Sequence, residues 1–91
     1  LRDAQGWIEA KLIPRSGRCP ETFTLDQLLW GEEEVRCGGR WFLLGLRAPR
    51  TWVMYDAPGA RAWFEQHENR PRLAIDGSFP TREMVRLLRC P

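Results

Sequence analysis

Residue types that perform acid–base and nucleophilic chemistry are sparse and scattered in this chain. Histidine is the side chain used most often as a general base, and the sequence contains a single one, His67. Its position on the apolar stripe of a predicted helix indicates a packing role beside Trp63 and Phe64. No serine lies in a nucleophile-elbow pattern, and the sequence has no glycine-rich phosphate loop. We therefore expect no catalytic residue and a protein that is not an enzyme.

The candidate metal ligands are separated in the same way. Zinc sites are typically built from cysteine pairs about two to four residues apart, whereas Cys19, Cys37 and Cys90 occur singly. The acidic run at 32–34 is typical of solvated surface. We predict no metal and no small-molecule cofactor. An odd number of cysteines cannot all pair within one chain, and we expect all three to be free thiols.

The strongest concentration of functional side chains is a basic and aromatic segment at residues 35–52. It carries four arginines and no acidic residue, beside Trp41, Phe42 and Trp52. Guanidinium groups bind phosphates, and aromatic rings stack on bases. Together with the outer face of the last predicted helix, the segment predicts a nucleic-acid interface. The candidate residues are Arg36, Arg40, Arg47, Arg50, Arg82, Arg86 and Arg89.

Tryptophan supplies an alternative function. The chain has five tryptophans in 91 residues. Trp7 shares a predicted strand face with Glu9 and Lys11, and Trp30 ends a predicted helix, which favours partial exposure of both rings. Exposed tryptophan is a common anchor of protein interfaces, and the N-terminal part of the chain is acidic. A protein-interaction domain, an adaptor or an inhibitor, is therefore the alternative to a nucleic-acid-binding module.

Length and composition favour one small domain that spans residues 1–91. The hydrophobic fraction of 43% and the charged fraction of 29% are ordinary for a globular protein. No apolar run reaches the roughly 18–20 residues that cross a bilayer, and no signal-peptide pattern is present. We expect a soluble protein without membrane contact. Free thiols favour the cytoplasm, and a mature periplasmic protein would have the same features.

Alternation of apolar and polar residues over 7–13 predicts a half-buried strand. Its inward side chains are predicted to be Ile8, Ala10 and Leu12. A helix follows, because Thr24 and Gln27 match a capping box. We predict that this helix ends at Trp30, where Gly31 supplies a left-handed stop.

The next predicted element is a hairpin around the two-glycine turn at 38–39. Its strands are 35–37 and 40–47, and the second is apolar almost throughout, which is typical of a central strand covered on both faces. The remaining predicted elements are a strand at 51–55, a helix capped by Asp56, a strand at 73–75 and a helix from Thr81 through Arg89. The order β-α-β-β-β-α-β-α predicts an α+β fold with a mixed or antiparallel sheet of about four to five strands and about two to three helices on one face.

The region from Thr51 to Leu88 resembles the C-terminal half of a thioredoxin-like or glutaredoxin-like domain. Its order is strand, helix, proline, the short strand LAIDG and helix, with Pro71 in the place where that family has a proline before such a strand. The resemblance covers under half of the chain and implies a fold only. Dithiol redox chemistry would not follow from it, because the family's CxxC is absent and Cys19 stands alone before Pro20.

Overall fold

The computed structural model describes residues 2–3, 6–47, 50–77, 82–83 and 86. Within these residues a mixed sheet carries two helices on one of its faces, so the predicted α+β arrangement is confirmed. The strands are β1 (Arg2–Asp3), β2 (Gly6–Ile13), β3 (Trp41–Arg47), β4 (Thr51–Tyr55) and β5 (Leu73–Asp76). The helices are α1 (Leu25–Arg36) and α2 (Ala57–Phe64).

The strands lie in the order β1-β2-β3-β4-β5. β2 and β3 are parallel, and α1 forms the crossover connection that two neighbouring parallel strands require. The pairs β3–β4 and β4–β5 are antiparallel. Short β1 pairs antiparallel with β2 at Gly6 and Trp7. The parallel register aligns Ile13 with Arg47, so the segments that follow β2 and β3 leave the sheet at the same end.

The prediction for the end of α1 was wrong. The helix continues through Gly31 to Arg36, so the residues predicted as the first strand of a hairpin form the last helical turn and its cap. Gly31 is instead the point at which α1 contacts the sheet, because a Cβ there would lie within 2.4 Å of the Trp41 ring. The helix stops at Cys37, and Gly38 follows with a φ of +91° that favours glycine.

The predicted starts of the first two helices are confirmed. The Thr24 hydroxyl oxygen accepts a hydrogen bond from the Gln27 N–H at 3.3 Å, and the Gln27 side-chain oxygen accepts one from the Thr24 N–H at 3.0 Å. Asp56 caps α2, and its carboxylate accepts from the Gly59 N–H at 2.9 Å. Both helix starts are therefore set by residues within one turn of the cap.

The core lies on both faces of β3, as its continuous apolar sequence predicts. On the face covered by the helices, Leu43 packs in a cluster with Leu28 of α1 and Trp63 of α2. On the opposite face, Phe42 packs with Met54 in a second cluster. Successive side chains of a strand point to opposite faces, so one apolar strand supplies both clusters.

Two predictions of burial were wrong. Ile8 is buried as expected, but Ala10 is exposed and Leu12 is 73% exposed, because α1 and α2 cover the other face of the sheet. His67 does not lie on a helix stripe. α2 ends at Phe64, the backbone turns through a left-handed Gln66 with a φ of 61°, and the His67 side chain is 73% exposed.

The predicted last helix is described at three positions, Arg82, Glu83 and Arg86, and all three have helical backbone. The proposed cap Thr81 lies outside the described residues. The same holds for the apolar residues of this predicted helix and for its last residue, which are Met84, Val85, Leu87, Leu88 and Arg89.

Candidate functional site

Trp7 and Trp30, predicted as exposed interface residues, contact each other. Their ring centroids are 5.2 Å apart and their planes are inclined at 85°, an edge-to-face arrangement. The Trp7 ring is partly buried and packs against the core, whereas Trp30 is 47% exposed. β2 and α1 therefore bring together two tryptophans that are far apart in the sequence, and one of them faces solvent.

The position of Trp30 follows from its neighbour in the helix. Gly31 rests on the Trp41 ring, which fixes the rotation of α1 over the sheet. Trp30 is offset from Gly31 by about 100° around the helix axis. Its ring therefore lies to one side of the contact between Gly31 and Trp41, where it meets Trp7 of β2. The rings line a small cleft of about 230 Å³ together with Ile8 and Glu9. Trp41 also lines this cleft, so three of its five lining residues are tryptophans.

Two leucines of α1 are also exposed, at least about 100° around the helix axis from Trp30. Leu25 is 49% exposed and Leu29 is 47% exposed, and a spacing of four residues places them on one side of the helix. We call Trp7, Leu25, Leu29 and Trp30 the α1 surface. The leucines were missed in the sequence. The sequence did contain a signal. Three leucines lie in the first five residues of α1, and only Leu28 falls on the buried side of the helix, so the other two are expected to be exposed.

The four arginines of the basic segment do not form one surface. Arg36 ends α1 and Arg40 immediately precedes β3, whereas Arg47 and Arg50 lie at the far end of that strand. A strand rises about 3.3 Å per residue, so the two pairs are separated by roughly 20 Å. Arg36 is also held by Glu33, with its Nε donating at 2.9 Å and a second contact from its Nη2. The hairpin that was predicted to join the four does not exist.

The parallel register creates a different basic group. The loop that follows β2 leaves the sheet beside Arg47, and Gly17 of this loop lines a cleft with Arg47 and Thr51. This loop carries two further arginines. We call the resulting group the basic end; its members are Arg15, Arg18, Arg47 and Arg50. Across the described part of the chain none of the four forms an ion pair.

Acidic residues at the basic end are few. Asp76 lies opposite Thr51, whose hydroxyl donates to its carboxylate at 2.5 Å. The Gly77 N–H donates to the Arg50 carbonyl at 2.9 Å and closes this end of the sheet. Of the other predicted arginines, Arg82 and Arg86 are exposed, and Arg89 lies outside the described residues.

Ion pairs elsewhere have a structural role. The acidic run at 32–34 was predicted as solvated surface, yet it forms part of α1. Glu32 accepts two hydrogen bonds from Arg61, from Nε at 2.5 Å and from Nη2 at 2.7 Å, and joins α1 to α2. This contact lowers the pKa of Glu32. Arg61 also pairs with Glu65, four residues further along the chain, at 2.9 Å.

The described thiols have no activated environment. Cys19 is a free, partly buried thiol, and burial raises its pKa to about 11. It is therefore protonated at neutral pH and a poor nucleophile. Cys37 is free and exposed, with its Sγ 3.6 Å from Glu33 Oε1. Cys90 lies outside the described residues.

Among the residues described, no three histidine, cysteine or acidic side chains are grouped closely enough to hold a metal ion. In the same part of the chain, no helix has the length and apolar character needed to cross a membrane. No protein-family model, no curated protein and no solved structure matches the chain.

Proposed function

We propose that the protein is a non-catalytic interaction domain that binds a partner protein through the α1 surface. The observation that carries this proposal is the contact between Trp7 and exposed Trp30, together with the exposure of Leu25 and Leu29 elsewhere on the outer side of the same helix. When a partner covers large apolar side chains, the complex is stabilised by about 25 cal/mol for each Å² of apolar surface removed from water. Tryptophan is also among the residues that contribute most to protein interfaces.

The α1 surface is suited to binding because its largest ring is already positioned. Binding is weakened when it has to immobilise a freely rotating side chain, because the side chain loses conformational entropy. The edge-to-face contact with Trp7 restricts the Trp30 ring before any partner arrives. Acidic Asp26 is exposed on the same helix, which favours a partner with a basic group beside its apolar surface.

Capture from an extract of the native cell, treated with nuclease, tests this proposal. We expect the unmodified protein to retain a partner that Trp30→Ala and Leu29→Asp both lose. Leu12→Ala is the matched control, since Leu12 is also exposed and lies outside the α1 surface. Equal capture of the same proteins by all four forms, or capture abolished by nuclease, would contradict the proposal.

A second candidate function is nucleic-acid binding at the basic end. It is favoured by one specific observation, that the loop carrying Arg15 and Arg18 leaves the sheet at the end where Arg47 and Arg50 lie, and none of the four forms an ion pair with the described residues. Four phosphate contacts predict a slope of log K against log salt of roughly −3 to −4. Titration of oligonucleotides at several salt concentrations measures this slope.

Arginine variants test whether the basic end is the part of the protein that binds the oligonucleotide. Arg47→Ala is expected to flatten the slope by a little under one unit. Arg36→Ala is the matched control, because Arg36 lies at the opposite end of β3 and is paired with Glu33. Absence of binding at low salt, or an equal effect of the two substitutions, would exclude the basic end as a nucleic-acid site.

A further inference from the structure

The outer edge of β2 carries backbone groups that the sheet does not use. β3 pairs with β2 from Trp7 to Ile13, whereas β1 covers the other edge at Gly6 and Trp7 alone among the described residues. The Trp7 N–H donates to the Arg40 carbonyl at 3.0 Å, so Trp7 faces β3. Backbone groups alternate sides along a strand. The N–H and C=O groups of Ala10 and Leu12 therefore point away from β3.

Within the described ranges these groups have no hydrogen-bond partner. Ala10 is exposed, and Leu12 is 73% exposed. A strand edge with unpaired donors and acceptors is a template for one more strand. Peptide segments bind to such edges through main-chain hydrogen bonds, with side chains giving specificity.

An open groove of about 950 Å³ runs beside this edge. It is lined by the end of β2, by the loop that follows, including Arg18 and Cys19, and by Gln66. The charged residues that line the groove are Lys11, Arg18 and Glu21, and Arg15 lies in the same loop, so basic groups outnumber the single carboxylate. None of these three cations forms an ion pair with the described residues. The groove therefore favours an acidic occupant.

A second copy of this chain fits the edge poorly. In an antiparallel pair centred on Ala10, the incoming Ile13 would meet Trp7, where β1 already lies. A pair moved along by one residue would place Lys11 directly opposite the Lys11 of the other copy, and like charges in that position are destabilising. An acidic residue of a different protein opposite Lys11 removes this repulsion and replaces it with attraction.

We propose that the outer edge of β2 binds an extended, acidic segment of a partner protein by strand addition. Ala10 and Leu12 exchange main-chain hydrogen bonds with the segment, while Lys11 and Arg18 attract its carboxylates. The α1 surface contributes none of these residues. The inference therefore stands apart from the proposed function, and Trp30→Ala, which removes α1 binding, leaves strand addition unchanged.

The test uses a blocked peptide of repeated Val-Glu pairs and the ¹H–¹⁵N spectrum of the labelled protein. We expect the amide signals of Ala10 and Leu12 to shift, and their hydrogen exchange to slow by about tenfold at saturation, since each N–H gains a hydrogen bond. A matched peptide of Val-Lys pairs is expected to leave both signals unchanged. No shift with the Val-Glu peptide at millimolar concentration, or equal shifts with both peptides, would overturn the proposal.

Variants separate main-chain from side-chain recognition. Leu12→Pro removes the outward N–H and leaves the ladder with β3 intact, and proline is tolerated at such an edge. It is expected to weaken peptide binding roughly tenfold relative to Leu12→Ala, which keeps the N–H. The Lys11→Glu variant is expected to bind the Val-Lys peptide more tightly than the Val-Glu peptide, the reverse of the unmodified protein. Equal affinities of Leu12→Pro and Leu12→Ala, an unchanged preference of Lys11→Glu, or dimerisation through this edge without peptide would contradict strand addition by an acidic partner.

Discussion

The two sides of α1 carry similar side chains in opposite environments. On the side that faces the sheet, Leu28 is fully buried and Gly31 lies against the Trp41 ring. On the side that faces solvent, Leu29 and Trp30 are each 47% exposed. The inner side accounts for the attachment of the helix to the sheet. The apolar residues of the outer side have no comparable role in the fold, and this difference is the reason for assigning them to binding.

The largest expected effect is the loss of the inner leucine. Leu28→Ala leaves a cavity in the core cluster between the helices and the sheet, and we expect it to lower the free energy of unfolding by about 2–5 kcal/mol. Leu29→Ala is the matched control on the next residue and is expected to change it by less than about 0.5 kcal/mol. Urea denaturation measures both. Similar losses for the two substitutions would mean that α1 does not have distinct inner and outer sides.

The second prediction concerns the contact of α1 with Trp41. Gly31→Ala introduces a methyl group against the ring and is expected to lower the free energy of unfolding by about 2–3 kcal/mol, because overpacking forces neighbouring atoms to move. A smaller ring should relieve the strain, so Trp41→Leu combined with Gly31→Ala is expected to show favourable coupling in a double-mutant cycle. Additive effects would contradict the close approach.

The helix caps and Gly31 show which parts of the fold can be predicted from the sequence. The capping box of Thr24 and Gln27 and the cap at Asp56 were predictable, because each acts within one helical turn. Gly31 was predicted as a helix stop because glycine serves that purpose in isolation. Its actual role depends on Trp41, a distant residue that arrives through tertiary structure, and no local pattern distinguishes the two roles.

The candidate sites also combine features set by neighbouring residues, which were predictable, with features set by distant residues, which were not. Partial exposure of Trp30 was predictable from its place in the sequence, but its contact with Trp7 requires the β2–α1–β3 crossover. The basic end was not predictable, because only the parallel register brings the loop that carries Arg15 and Arg18 to the end of the sheet where Arg47 and Arg50 lie. The sequence suggested a hairpin instead, since the glycine pair at 38–39 matches a tight turn.

The third prediction concerns the helix cap. Thr24→Ala removes the hydroxyl that accepts from the Gln27 N–H and is expected to cost about 1 kcal/mol of unfolding free energy. Thr22→Ala is the matched control, since Thr22 is exposed and lies before the cap. Thermal denaturation of the two variants provides the comparison. A loss of equal size in both would show that the cap contributes nothing specific.

The smallest expected effect is on the ion pair between the helices. Arg61 lowers the pKa of Glu32 below its ordinary value of 4.5. A depressed carboxyl pKa stabilises the fold above that ordinary value, and the contribution disappears as the pH falls through the folded-state pKa. We expect Glu32→Gln to cost under about 1 kcal/mol at pH 7, because both groups are partly exposed. The difference from the unmodified protein should vanish at acidic pH, and a difference independent of pH would contradict the ion pair.

The most direct test of the α1 surface is photo-crosslinking from Leu29 in a nuclease-treated extract of the native cell. A benzophenone amino acid replaces Leu29 in one form of the protein and exposed Glu68, which follows α2, in another. Both substitutions lie outside the core, so both forms are expected to unfold at the same urea concentration as the unmodified chain. Binding through the α1 surface predicts a discrete adduct with one partner from position 29 and none from position 68. Absence of an adduct at position 29, or the same adducts from both positions, would contradict it.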